Sequence, residues 1–182
     1  NINSDWWEWE KTVGVELSGH ACRHYKMYEE DFDLARGLNH NTHRLSLEWA
    51  RIEPREGVFE EKELRHYEDV ILALRSRNIE PVVTLHHFTN PNWFSNKGGW
   101  ENKRSVFYFS RYCDVVIRAL SKHVNFWVTI NEPTIYISHA YLFGVWPPQK
   151  RSVFRAFKVS QHMAYAHIKV YRSAHAIYLG KN

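Results

Sequence analysis

Three short runs rich in β-branched and aromatic residues, 42–49, 81–88 and 126–130, alternate along this chain with stretches whose apolar residues recur at helical spacing. Tyr28, Phe32 and Ala35 precede the first run, with Leu38 just beyond. Leu64, Tyr67, Ile71 and Leu74 mark a helix between the first and second, and Asn78 offers its stop. Val106, Phe109, Cys113, Val116 and Leu120 then recur at steps of three and four before the third run. A last helix is predicted over 153 to about 176, with Phe157, Ala164, Ile168 and Tyr171 on one face. The order α-β-α-β-α-β-α predicts an α/β fold of parallel strands joined by right-handed crossovers.

In such a sheet every strand end lies on one side, where these folds place their chemistry. Here the runs end in Glu48-Trp49, His86-His87 and Asn131-Glu132. A doubly wound nucleotide fold would show a glycine-rich turn after a strand, yet Gly98-Gly99 stands in the middle of a long loop. A (β/α)8 TIM barrel accounts better for the pattern. A whole barrel needs ~250 residues, so the 182 present are expected to form one partial domain, about the first half of a barrel without its first strand.

Composition narrows the partners. Hydrophobic residues at 44% predict a globular core, and the mild net charge of +4, without a basic block, argues against nucleic acid. No apolar run approaches the ~18 residues that a membrane span requires. Cys22 and Cys113 lie far apart without metal or redox spacing, and read as free thiols of a reducing, cytoplasmic setting. The chain starts Asn-Ile-Asn rather than with methionine, so its N-terminus is expected to be incomplete. A half barrel would also leave strand edges open to self-association.

Among the strand ends Glu132 stands out, because a Val-Thr-Ile strand that looks buried finishes on a carboxylate. Alone, Asn-Glu-Pro reads as a turn. On one rim with His87 and Arg44, Glu132 becomes a candidate general acid whose proton affinity burial and a second carboxylate would raise. Strict alternation would send Asn131 and Glu132 to opposite faces, unless the strand ends there as Pro133 suggests. Arg44 shares a barrel-facing register with Ser46 and Glu48, opposite Leu45 and Leu47, and either pairs with Glu48 or steadies a carboxylate from elsewhere. His87 is a rim histidine or a donor to substrate. Zinc is disfavoured: adjacent strand residues point apart, and no His-Glu-x-x-His or cysteine cluster completes a site. No metal or cofactor is expected. Trp6, Trp7 and Trp9 read as a loop capping the barrel.

The stretches SDWWEWE, HRLSLEWARIEPREGVFEEKELRHYEDVI, PVVTLHHFTNPNWF, GGWENK and FWVTINEP resemble, in order, the N-terminal part of the family 1 glycoside hydrolases, the β-glucosidase family. The resemblance covers nearly the whole chain. It implies a retaining β-glycosidase in which Glu132 is the acid/base, Asn131 binds the sugar 2-hydroxyl, His87 binds another glycone hydroxyl, and Arg44 neighbours the nucleophile. A β-glycoside or oligosaccharide would be the substrate. The family's nucleophile, a glutamate in Glu-Asn-Gly, is not among these residues, so the chain alone is expected to be inactive. A non-catalytic half-barrel that binds carbohydrate is the competing class. His86 and Phe88 stand where the family commonly has tyrosine and tryptophan, and Thr134 where many members carry tryptophan. Glycone and aglycone preference are therefore open, although Glu132 in place of the glutamine of thioglucosidases points to O-glycosides.

Overall fold

Ser4 starts the first helix by accepting the Trp7 amide on its hydroxyl at 3.3 Å, and Gly14, at φ 70°, stops it in the left-handed conformation that glycine adopts freely. The computed structural model describes residues 1–180. This first helix, α1 (Asp5–Val13), corrects one expectation: Trp6, Trp7 and Trp9 lie on a helix, not a loop. Then follow α2 (His24–Gly37), β1 (Thr42–Ser46), α3 (Trp49–Ile52), α4 (Glu61–Ser76) and β2 (Glu80–His86). The chain continues through α5 (Asn92–Asn96), a 3-10 turn (Gly99–Glu101), α6 (Ser105–Leu120) and β3 (Phe126–Ile130). Last come α7 (Pro133–Ile137), a π turn (Ser138–Leu142) and α8 (Val153–Leu179).

The strands form a parallel sheet in the order β1-β2-β3. Arg44 stands opposite Val82 and Ser46 opposite Thr84; on the far side of β2, Thr84 stands opposite Val128. Alternation along β1 is as expected: Leu45 and Leu47 are buried while Arg44 and Ser46 are exposed. The strand nevertheless ends at Ser46, two residues before Glu48.

Helices cover one face of this sheet. Phe32 and Ala35 of α2, then Tyr67, Ile71 and Leu74 of α4, join Val83 and Leu85 in a single core with Phe109, Cys113, Val116 and Leu120 of α6. Truncating a fully buried phenylalanine such as Phe109 would cost about 3–5 kcal/mol. Asn78 ends the α4 turn at φ 58°, the role its position suggested. Glu53 is fully buried, and its carboxylate accepts from the Trp49 indole at 2.8 Å, the Gly57 amide at 2.7 Å and Arg111.

The fourth helical stripe falls differently. α8 buries Ala156, Val159, Met163, Ala166 and Val170, whereas Phe157, Ala164, Ile168 and Tyr171 are exposed. α8 is apolar on more than one side, and only one side meets α6 and β3. Beyond β3, Trp127, Val128, Thr129 and Ile130 line an apolar recess of about 540 Å³ with Met163, Ala164 and Tyr171. A second recess of about 540 Å³ runs along β1 from His43 to Ser46. Both outer strands thus leave an edge uncovered among the described residues.

Candidate active site

Parallel pairing brings the ends of β2 and β3 together with the inner side chains of β1. The β3 end is the sharpest corner. Glu132 lies at φ 38°, ψ 59°, and Pro133 opens α7 directly after it. A left-handed residue without glycine's freedom costs of order 1–3 kcal/mol, and such outliers gather at functional sites. Proline suits the first helical position because its missing N–H has no partner there. This corner resolves the alternation problem. Asn131 is buried and turned toward β1, while Glu132 is carried round onto the rim.

Arg44 joins all three strands. Its Nε donates to Thr84 Oγ1 at 2.9 Å, and its Nη2 donates to Asn131 Oδ1 at 2.5 Å. The alternative of an Arg44–Glu48 ion pair is not realised. The Glu48 carboxylate accepts instead from the Ala50 amide at 3.1 Å, capping α3, and from Thr89 Oγ1 at 3.0 Å. Burial pushes the Glu48 carboxyl above its ordinary range against these donors.

His86 and His87 diverge. His87 is exposed, and its Nδ1 lies 2.7 Å from Ser46 Oγ. Partial burial, then the Arg44 guanidinium, hold its imidazole below the ordinary value, and the Glu132 carboxylate pulls the other way. Arg44, His87 and Glu132 therefore share one electrostatic neighbourhood, with Asn131 bonded into it. His86 is buried against the rings of Trp100, Phe109 and Tyr136. Its Nε2 lies 3.0 Å from Asn90 Oδ1, and burial depresses its pKa to about 4.

One expectation needs correcting. Glu132 is exposed, so the burial expected to raise its proton affinity is not found among the described residues. Among the described residues no further strand pairs with the outer edge of β1 or of β3. Sequence reasoning also missed Thr84, which is fully buried and fixes the arginine, and the Asp5–Asn90 pair described below. Thr84 matters through its bond to Arg44, 40 residues away, which no local pattern announces. Asp5 gave no local signal either.

The fold and rim define a portion of a (β/α)8 enzyme barrel with a carboxylate, an amide, an imidazole and a guanidinium at its C-terminal face. The chain belongs to Glycosyl hydrolase family 1, whose profile matches residues 4–182. It is 34% identical over 167 residues to the 6-phospho-beta-galactosidase of Clostridium acetobutylicum, covering 91% of this chain and 35% of that protein. It is 32% identical to Beta-glucosidase A of Thermotoga maritima, covering 93% of this chain and 40% of the other. Among solved structures, the beta-glycosidase from Pyrococcus horikoshii superposes with a TM-score of 0.92 at 38% identity, over 97% of this chain and 42% of that one. The chain thus spans 35–42% of the length of these relatives.

Proposed function

We propose that the chain supplies the acid/base half of a retaining β-glycosidase that hydrolyses O-linked β-glycosides. The observation that carries this reading is the left-handed corner at Glu132, which sets a carboxylate on the rim beside His87 and the Arg44–Asn131 bridge. In a retaining mechanism two carboxyl groups stand ~5–5.5 Å apart across the anomeric carbon. The nucleophile comes from polypeptide beyond these residues. It attacks the anomeric carbon while Glu132 protonates the departing oxygen, and Glu132 then deprotonates the water that releases the sugar. Asn131 and His87 bind glycone hydroxyls, and Arg44 lies beside the nucleophile. No metal or cofactor enters these steps. No described helix is long and apolar enough to cross a membrane, and the free thiols Cys22 and Cys113 fit a cytoplasmic setting.

The test grafts residues 1–182 onto the flanking segments of the Pyrococcus horikoshii barrel and compares it with its Glu132→Gln variant. General acid help is worth typically 10²–10⁴-fold, least for leaving groups that need no proton. Hydrolysis of an alkyl β-glucoside should fall much further than glycosylation by an activated aryl β-glucoside, and azide should rescue the second step. Equal losses on both, with no azide effect, would remove the role from Glu132.

A further inference from the structure

The segment 87–91 that links β2 to α5 carries His87, and it also carries Phe88 at φ 73°, a conformation a phenylalanine does not hold by itself. Something outside the segment must fix it. The strongest bonds on it come from α1. The Asp5 carboxylate accepts the Asn90 amide on Oδ1 at 2.9 Å, Asn90 Nδ2 on Oδ2 at 2.9 Å, and Ser95 Oγ on Oδ2 at 2.9 Å. The backbone repeats the connection, with the Asp5 amide donating to Asn90 O at 2.9 Å and the Asn92 amide to Asn3 O at 2.8 Å. Asn90 is itself buried, and its Oδ1 receives the Trp100 indole at 3.1 Å as well as His86 Nε2. With Asn90 Oδ1 an acceptor, His86 carries its proton on Nε2. Its buried Nδ1 is then bare, in keeping with the partner it lacks.

We propose that Asp5 is a positioning residue for the end of β2, acting through Asn90 and His86 to hold His87 and Phe88 in the orientation they present to the rim. The inference rests on the reading of His87 as a sugar-binding group only for its purpose; the clasp is a matter of the fold.

Its two titratable members oppose one another. Burial lifts Asp5 from 3.8 to about 6, so the docked segment binds a proton better than an opened one between pH 4 and 6, and acid favours docking. Burial lowers His86 from 6.5 to about 4, so the opened segment binds the proton better across pH 4–6.5, and acid favours opening. The charges that face the pair are Glu48, which raises Asp5, and His87, which lowers His86. Tyr136, Tyr141, Glu101, Lys150 and Arg155 line the cavity of about 330 Å³ that Asp5 and Asn90 border. All of these remain in each variant below, so they cancel in the comparison.

The experiment is residue-resolved amide exchange of 86–92 in the 182-residue chain, corrected for intrinsic rates, at pH 4.5 and 7. Asp5→Asn sets an amide N–H against donors, and should open this segment ~10-fold or more at pH 7 while α6 and α8 keep their protection. Acidification should then open it by at least about tenfold further, whereas His86→Gln should close it by a similar factor, and the native chain should change by less than about threefold. The His87 imidazole resonance should shift in Asp5→Asn. Ser95→Ala, which removes one donor and disturbs no core contact, should show a smaller local loosening of ~3-fold. Unchanged protection of 86–92 in both Asp5→Asn and Ser95→Ala, or loss spread evenly over the chain, would overturn the clasp. Neither readout involves sugar, so a failed glycosidase reading would leave this result standing.

Discussion

The Arg44 guanidinium on β1 donates to the Asn131 side chain at the end of β3, 87 residues away in sequence, after passing over Thr84 of the strand between them. One side chain thus ties the three strands at the level where the rim begins. Thr84 is fully buried and Asn131 nearly so, hence each loses its partner if the guanidinium is removed. Arg44→Met should lower the stability of the chain by about 1–2 kcal/mol in urea unfolding. Arg44→Lys should recover only part of this, because one ammonium cannot reproduce the planar fork. No loss in either variant would mean the bridge contributes nothing to the sheet.

The same neighbourhood can be read by titration. Since Arg44 pushes the His87 pKa down and Glu132 pulls it up, Arg44→Met should move the imidazole to a higher pKa and Glu132→Gln to a lower one. A histidine whose folded value is depressed contributes stability that is complete above its unfolded pKa near 6.5 and lost as pH falls below it. Arg44→Met should therefore reduce that acid loss. NMR titration of His87 checks both shifts, and movement in the same direction for the two variants would separate the three residues.

His87→Ala in the completed barrel should cost ~1–3 kcal/mol in kcat/KM, the value of a lost hydrogen bond to a sugar hydroxyl. Activity should be indifferent to strong chelators. Stoichiometric zinc that disappears with this substitution would assign the imidazole to a metal instead.

How much of this was legible follows from which forces are local. The run 126–130 coincides with β3 because it is a short unbroken stretch of β-formers, and the stripe Phe109-Cys113-Val116-Leu120 with the buried face of α6 because that helix has one apolar side. α1 is hard to see in the sequence because three tryptophans within four residues give no single stripe, and its start depends on the Ser4 cap. Phe157, Ala164, Ile168 and Tyr171 mark one face of α8, but apolar residues wrap much of this helix, and packing alone selects Ala156, Val159 and Met163 for burial. At the rim the sequence marked Arg44, His87, Asn131 and Glu132, whose residue types break an apolar pattern. It could not mark Thr84 or Asp5, whose importance lies in partners 40 and 85 residues away. Nor could it show that Glu132 stands exposed, since exposure is set by what packs around the corner after β3 and not by the local pattern.

The uncovered side of α8 has its own consequence. Phe154 is 90% exposed, Phe157 65% and Tyr171 54%; Tyr171 lines the apolar recess beside β3, whose outer edge pairs with no strand among the described residues. Apolar patches and free strand edges of this kind promote association. Sedimentation of residues 1–182 should show concentration-dependent self-association that Phe157→Glu weakens. A chain that stays monomeric at high concentration would show that the edge is protected in solution.

The most direct test of the half-site is turnover of an aryl β-glucoside by residues 1–182, alone and with the rest of a family 1 barrel supplied as a separate polypeptide. A retaining mechanism requires two carboxylates, and this chain is proposed to bring only the acid/base. The account predicts no turnover by the chain alone, turnover after mixing, and loss of that turnover when Glu132→Gln replaces the native chain. Turnover by the isolated chain that Glu132→Gln abolishes would contradict it, because both carboxylates would then reside within these residues.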